Sequence, residues 1–283
     1  MQKEWLFLDT GHHDAAVNMA LDECMINWLN EGKIQPTLRL YGWKKPSLSI
    51  GHFQKAGKTI DFNAVDKHGC QFVRRLTGGS AVLHDNELTY SLVISEKDPG
   101  IPKSVKDAYY VLSKGVLEGY RNLGVEADYA LPEKRARREH SAICFEEPAY
   151  YEMVVDGKKL SGNAQTRKNG VLMQHGSVPM RMDTDMLFDL FRFPSEKSRQ
   201  RKREAFHHKA VTIDELTNKQ HTYEMMTAAF KKGFETGLNI AFKPLKLSES
   251  DWEEVFYLAD TKYESEALNF HSSKERVTSG QTN

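Results

Sequence analysis

The stretch Ser141 to Ser177, SAICFEEPAYYEMVVDGKKLSGNAQTRKNGVLMQHGS, constrains the fold most. In it the apolar run Tyr151 to Val155 meets an Asp156-Gly157 pair and then two lysines, Lys158 and Lys159. Asp-Gly suits a tight hairpin turn because its backbone tolerates positive φ, and such a turn fixes the register of the strands it joins. The pattern predicts a hairpin that returns through Leu160-Ser161-Gly162-Asn163-Ala164, with a second strand closing on His175-Gly176-Ser177. Cys144 stands just ahead of it. A rigid hairpin can hold a thiol near a lysine, and a cationic neighbour lowers a thiol's pKa and favours the nucleophilic thiolate. Chemistry is expected here.

The rest of the chain supplies a frame. A short strand is expected over Trp5 to Leu8. Asp14 then caps a helix reaching about Asn30, with Val17, Leu21, Cys24 and Trp28 on one stripe and Gly32 as its stop. That stripe makes Cys24 a core residue. Strands over Leu38 to Trp43 and Ser47 to Ile50 flank a Lys44-Lys45-Pro46 turn. A helix over Phe62 to Lys67 ends at Gly69, and Cys70 opens a strand, Gln71 to Arg74, as a packed residue. After the strand Leu88 to Ile94, Ser104 caps a helix to about Leu123 that buries Val105, Ala108, Leu112, Val116 and Tyr120 and stops at Gly124. Leu131 to His140 reads as a charged surface loop leading into Cys144. A short amphipathic helix, Thr184 to Phe191, stops at Pro194, and Ser198 to Lys209 is strongly basic. Thr222 to Thr236 is a helix ended by Gly237, and Ser248 with Asp251 opens a last helix carrying Trp252, Val255, Phe256 and Ala259. From about His271 the unpatterned polar composition predicts disorder. Strands in the middle, helices beside them and mostly antiparallel connections give the α+β class.

With 40% hydrophobic residues, 28% charged residues and no net charge, the chain reads as an ordinary globular protein, with nothing global to favour nucleic acid or a membrane. The start, MQKEWLFLDTGHHD, has no apolar targeting core, and no run approaches transmembrane length. Three cysteines, Cys24, Cys70 and Cys144, argue for a reducing, cytoplasmic setting rather than a disulfide framework.

A second informative stretch is RRLTGGSAVLHD, Arg74 to Asp85. Paired glycines let backbone N–H groups approach an anion or carbonyl, and a neighbouring arginine can clamp it. The plainer reading is a Gly-Gly turn with surface arginines. It is neither a Walker loop nor a GxGxxG dinucleotide fingerprint. Composition alone favours a buried inert Cys144, but its place after a basic loop and outside any helical stripe favours function. A Cys-His pair with His175 or His84 is conceivable, without a papain signature. A metal site from Cys144, His140 and His175 lacks the spacing such sites show, so no metal is expected. The basic runs Lys134 to Arg138 and Arg199 to Arg203 are solvated faces or docking points for an acidic partner.

Together, RRLTGGSAVLHD, Gly51-x-x-Gln54 after a strand, and DGKKLSGNAQ followed by HGS resemble the lipoate–biotin ligase catalytic-domain family, over roughly Trp5 to Leu245. A cysteine shortly before the lysine motif looks most like the octanoyltransferases of the LipM type. The resemblance implies that family's fold, with residues 1–245 as the catalytic domain, 246–270 as a helical extension and 271–283 as a tail. It also implies a cofactor-free transfer of octanoate from acyl carrier protein onto Cys144, and from there to a lysine of a lipoyl-domain protein such as the glycine cleavage H protein. A monomer without nucleic acid or membrane partners is expected. By motif, Cys144 matches the acyl-accepting nucleophile and Lys159 the lysine taken to lower its pKa and contact the acyl carbonyl. Arg75, Gly78, Gly79 and His84 match the substrate-cradling loop. Ser161, Gly162, Ala164, His175 and Gly176 would line the acyl tunnel, with Leu76, Val82, Leu83 and Val171 as candidates for its apolar wall. Ser80 stands where many members have a third glycine, and Asn163 where a serine or histidine is common. The competing readings are an ATP-dependent lipoate-protein ligase, against which Cys144 argues, a relay amidotransferase between lipoyl domains, and a non-catalytic binding module.

Overall fold

Strand-forming runs buried at nearly every position belong in the middle of a sheet covered on both faces. Two nine-residue runs of this kind, Glu87–Ser95 and Val171–Pro179, pair antiparallel at the heart of the protein. The computed structural model describes residues 2–130, 143, 152–265 and 268–269. In chain order its elements are β1 (Lys3–His13), α1 (Ala15–Asn30), β2 (Thr37–Trp43), β3 (Ser47–Ile50), α2 (Ala56–Thr59), α3 (Phe62–Lys67), β4 (Gln71–Arg74), β5 (Val82–His84), β6 (Glu87–Ser95), α4 (Val105–Asn122), β7 (Asp128–Tyr129) and β8 (Met153–Val155). Then follow β9 (Lys158–Lys159), β10 (Gly162–Lys168), β11 (Val171–Pro179), α5 (Thr184–Asp189), α6 (Glu196–Phe206), α7 (Ile213–Thr217), α8 (Tyr223–Leu238), β12 (Ile240–Pro244) and α9 (Glu249–Leu258), with a π-helical turn at Ala259–Tyr263.

Six strands form the main sheet in the order β10-β11-β6-β2-β1-β12, antiparallel except where β1 meets β2 and β12. Along β6, Leu88, Tyr90, Leu92 and Ile94 pack toward α4 and α8, while Val93 joins the cluster around α1. This is the period-2 alternation of a sheet with a core on each face. A small sheet, β4-β3-β5, carries a third apolar cluster with Phe188, Phe191 and Phe206. The α+β expectation of mixed, mostly antiparallel sheets flanked by helices holds.

Several local expectations change. The single predicted hairpin is two. Val155 pairs with Lys158 across the Asp156-Gly157 turn in the sheet β7-β8-β9, whereas β10 and β11 pair across Asn169-Gly170 in the main sheet. Both turns use two consecutive positive φ angles, 50° and 76° in one and 52° and 75° in the other, as a twisted two-residue hairpin requires. β1 runs from Lys3 to His13, beyond Leu8, because after an irregularity His12 and His13 pair with Gly42 and Trp43. Helix α1 is buried on almost all sides rather than along one stripe. Val105 is 59% exposed, on the first turn of α4. Gly237 does not end α8, which continues to Leu238 and closes at Asn239 in the left-handed region. Its glycine serves packing: a Cβ there would lie 2.5 Å from the Lys114 carbonyl oxygen, and one at Gly233 2.3 Å from the Gly119 nitrogen. Helices α4 and α8 therefore cross at glycine-to-glycine distance. The basic run is helix α6, nucleated by the Ser195 cap and an acidic first turn and burying only Phe206.

From Ser248, whose capping box with Asp251 forms as expected, the chain packs on α1 through Val255, Ala259 and Tyr263. Residues 271–283 lie outside the described residues. Among those described, no helix is long and apolar enough to cross a membrane.

Candidate functional site

Strand β3 lies between β4 and β5, so the loops after β3 and β4 emerge side by side. Gly51 and Gly79 meet there: a Cβ on Gly51 would sit 2.0 Å from the Gly79 carbonyl oxygen, and Gly79 has φ +96°. The His52 N–H donates to the Thr77 carbonyl at 2.8 Å and the Arg75 N–H to that of Ile50 at 3.0 Å, closing the two loops into one cradle.

The two arginines are buried, at 1% and 5% exposure, so they are not a surface pair. Guanidinium groups are buried where acceptors match their fork of donors. Arg75 donates through Nε to Thr77 Oγ1, through one terminal nitrogen to the Ser49 carbonyl and hydroxyl, and through the other to the Gly78 and Ser80 carbonyls at 2.7 and 2.9 Å. Arg74 gathers the carbonyls of Gly51, His52 and Gln54 on one nitrogen and reaches Leu268 and Asn269 with its others. Both arginines hold the cradle's own backbone.

Two carboxylate–histidine–hydroxyl chains run beneath the cradle and end at the hydroxyls that receive Arg75. In the first, Glu87 Oε1 lies 2.7 Å from His84 Nδ1, and His84 Nε2 lies 2.7 Å from Ser49 Oγ. An ionised carboxylate can only accept, so the His84 Nδ1–H donates to Glu87, while Nε2 meets the Ser49 hydroxyl. The His84 ring stacks on Trp43 at 4.0 Å, and Glu87 also accepts from Thr89 and Ser177. In the second, Asp22 faces His175 Nδ1 at 3.5 Å, and His175 Nε2 lies 2.7 Å from Thr77 Oγ1. Burial pushes His175 below its ordinary value, so the ring is neutral near pH 7. Burial alone would raise the Asp22 carboxyl, but the His175 hydrogen bond and the Arg39 guanidinium, 2.8 Å away, hold it below the usual range.

Hairpin β10–β11 flanks this network. Ala164 pairs with His175, Asn163 with Gly176, and Gly162 with Ser177. Asn163 Oδ1 accepts from the Tyr90 hydroxyl at 2.9 Å, and its amide donates to Ser161 Oγ at 3.2 Å. Gly176 must be a glycine, since a Cβ there would lie 2.0 Å from Asn163 Oδ1 and 2.6 Å from the Tyr90 ring. Asn163 is thus held in place beside Gly176 by its partners.

Lys159 is buried at 2% exposure, and its ammonium lies 2.8 Å from Glu152 Oε2, itself in a residue 3% exposed. Its backbone is pinned on the side away from β8: its N–H donates to the Lys209 carbonyl and its carbonyl accepts from Val211. Cys144, His140 and the run Lys134 to Arg138 lie outside the described residues. The chain on either side of Cys144 is placed: Ile143 forms a parallel bridge with Ala81 beside the cradle, and Glu152 meets Lys159.

The structure therefore brings Arg75, Gly78, Gly79, His84, His175, Gly176, Ser161, Gly162 and Ala164 into one region. It does not gather the four apolar wall candidates. Val82 and Leu83 belong to the core of the small sheet, whereas Leu76 and Val171 belong to the cluster around α1. The other thiols suit no thiolate chemistry, because burial pushes Cys24 up to about 12 and Cys70 up to about 11. Asp22, Glu87 and Glu152 went unnoticed in the sequence reading. Only Asp22 left a local sign there: Asn18 and Asp22 stand one turn apart in a helix otherwise rich in apolar residues.

A glycine cradle, a buried lysine on a short hairpin and a six-stranded sheet between helices now specify a fold to compare. The model of the lipoyl protein ligase A/B catalytic domain matches residues 14–235. The chain belongs to the lipoyl protein ligase A/B catalytic-domain family. Among curated relatives, an Octanoyltransferase LipM of Oceanobacillus iheyensis is 50% identical over 264 residues, spanning 93% of this chain and 96% of that protein. Those of Geobacillus kaustophilus and Bacillus subtilis are 51% and 49% identical, each over 276 residues, 95% of this chain and 99% of theirs. Among solved structures, the bi-partite lipoate protein ligase of Thermoplasma acidophilum superposes with a TM-score of 0.76 at 24% identity, covering 95% of this chain and 97% of that one. Lipoate-protein ligase A bound with ATP gives 0.74 at 24% identity, covering 95% and 99%. These two share the fold of the family member described here.

Proposed function

We propose that the chain is an octanoyltransferase of lipoate biosynthesis that carries octanoate from acyl carrier protein, through a thioester on Cys144, to a lysine of a lipoyl-domain protein such as the glycine cleavage H protein. The observation that carries this reading is the near-full-length identity of about one residue in two with proteins named Octanoyltransferase LipM. A ligase shares the fold but activates its acid as an adenylate and needs no thiol. A relay between lipoyl domains would start from an amide.

The proposed reaction has two displacements. The Cys144 thiolate adds to the donor thioester carbonyl, the tetrahedral oxyanion collapses, and the carrier's thiolate leaves and takes a proton. The acceptor's neutral lysine amine then adds to the Cys144 thioester, Cys144 leaves as thiolate, and the amine's proton is lost as the amide forms. Neither step needs ATP, because the acyl group arrives activated. Lys159 supplies positive charge beside the thiolate and the oxyanion, with backbone N–H groups of the Gly78-Gly79 cradle as further donors. Arg75 and His84 keep that cradle in shape, while Ser161, Gly162, Ala164, His175 and Gly176 form the wall beside the acyl chain. A reducing cytoplasm suits a free thiol of this kind.

Intact-protein mass after mixing with octanoyl-acyl carrier protein, without ATP, tests the reading. An octanoyl adduct that hydroxylamine removes, and that Cys144→Ala lacks while still folded, is expected. No adduct, but ATP-dependent attachment of free octanoate or lipoate to a lipoyl domain, would make the chain a ligase. Transfer by folded Cys144→Ala would sink the covalent route.

A further inference from the structure

We propose that Glu152 is a positioning residue for the transfer reaction, aiming the ammonium of Lys159; this rests on the role of Lys159 proposed above. The two charged groups lie 2.8 Å apart, and both residues are almost wholly buried. Taking two charges out of water costs several kcal/mol per ion, and a pair of apolar side chains of similar volume would usually serve the fold at least as well. A buried ion pair of this kind points to a task other than stability.

The local architecture shows what the task is. The Lys159 backbone is fixed from two sides: by β8, where it pairs with Val154, and by the 209–211 segment, through hydrogen bonds of 2.8 and 3.1 Å. What a fixed backbone leaves to be set in a lysine is the direction of its flexible four-carbon stem. Glu152 constrains that stem. Its own backbone is held as well, because its carbonyl accepts from the Ala130 N–H at 2.8 Å, next to the pairing of Tyr129 with Met153. The carboxylate therefore stands on a three-stranded sheet that also carries Lys159, and it sits eight positions after Cys144 in the chain. One short sheet fixes the lysine and its counter-charge.

The test is a double-mutant cycle between Glu152→Gln and Lys159→Met, read as the single-turnover rate of acyl-enzyme formation from octanoyl-acyl carrier protein and as the donor KM. Since a misplacement of about 1 Å costs about a hundredfold in rate, Glu152→Gln should slow acyl-enzyme formation by about ten- to a hundredfold with the donor KM little changed. Glu152→Asp should restore part of the rate. In the Lys159→Met background, Glu152→Gln should cost nothing further, because the lysine it aims is gone. Should Glu152→Gln fail to fold, Glu152→Leu combined with Lys159→Met removes both charges and should match Lys159→Met alone. A wild-type rate for Glu152→Gln beside an impaired Lys159→Met overturns the inference and leaves the role of Lys159 standing. A loss from Glu152→Gln that persists undiminished in the Lys159→Met background also overturns it, since Glu152 would then act elsewhere. A wild-type rate for Lys159→Met removes the role of the lysine and the inference together.

Discussion

Replacing Gly51 by alanine probes whether the cradle is the reacting centre. The added Cβ would lie 2.0 Å from the Gly79 carbonyl oxygen and 3.0 Å from two backbone carbons of Gly78 and Gly79. These are main-chain atoms, so no side chain can swing aside. Non-bonded heavy atoms settle at about 3.5 Å, so one loop must retreat by at least about 1 Å. Neither is free to do so: Arg74 holds the Gly51 carbonyl at 3.0 Å, and Arg75 holds that of Gly78 at 2.7 Å. Overpacking of this kind costs about 1–3 kcal/mol, which in a chain of this size lowers Tm by roughly 2–10 °C. Activity should fall further than stability suggests, because a displacement of about 1 Å at a reacting centre costs about a hundredfold in kcat/KM. The comparison is Gly124→Ala at the end of α4, where φ is +76° and nothing lies within 4 Å of the new Cβ. That change costs about 1–2 kcal/mol of left-handed backbone strain, at a glycine that touches no cradle atom. Thermal melts and octanoyl transfer from the carrier protein should therefore show two variants of similar stability, only one of which is catalytically crippled. Equal kcat/KM for the two, well below either melting point, would refute the placement of the site.

Three further outcomes are expected. Burial holds the folded pKa of His175 below its unfolded value near 6.5, so this group's contribution to stability is complete above about pH 6.5 and is lost as pH falls toward the folded pKa; Tm should drop between about pH 7.5 and 5.5, and His175→Gln should make that slope shallower, whereas an unchanged slope contradicts it. Gly233→Ala drives a Cβ to 2.3 Å from the Gly119 nitrogen and forces α4 and α8 apart, which should cost about 1–3 kcal/mol of stability in a melt while leaving room-temperature transfer intact; an unaltered Tm would contradict the close crossing. Reversing the exposed charges of Lys197, Arg201 and Lys202 on α6 should raise the KM for octanoyl-acyl carrier protein by about tenfold without touching kcat, and should leave a small octanoyl thioester donor unaffected; an equal effect on both donors would exclude α6 as a docking face.

What the sequence determined by itself was whatever acts over a few residues. The Asp156-Gly157 turn, the Ser104 cap of α4, its stop at Gly124 and the Ser248–Asp251 capping box all formed as read, because each depends on the φ preference or hydrogen-bonding reach of one or two side chains. The short hairpin that carries Lys159 and the buried state of Cys24 were legible for the same reason, whereas the glycine cradle was not, since it forms only where Gly51 meets Gly79. Helix α6 escaped because it lacks an apolar period and is held by its caps and charges. Gly237 was misread because a glycine that stops a helix and one that lets another helix approach look alike until the partner is present. Only the tertiary structure decided where Arg74 and Arg75 point, that Asp22 and Glu87 stand behind His175 and His84, and that Glu152 faces Lys159. Arg74 reaches Asn269 across 195 positions and Asp22 reaches His175 across 153. No local pattern encodes such pairings. They arise when folding brings buried donors and acceptors together out of water, where each must find a partner or destabilise the core.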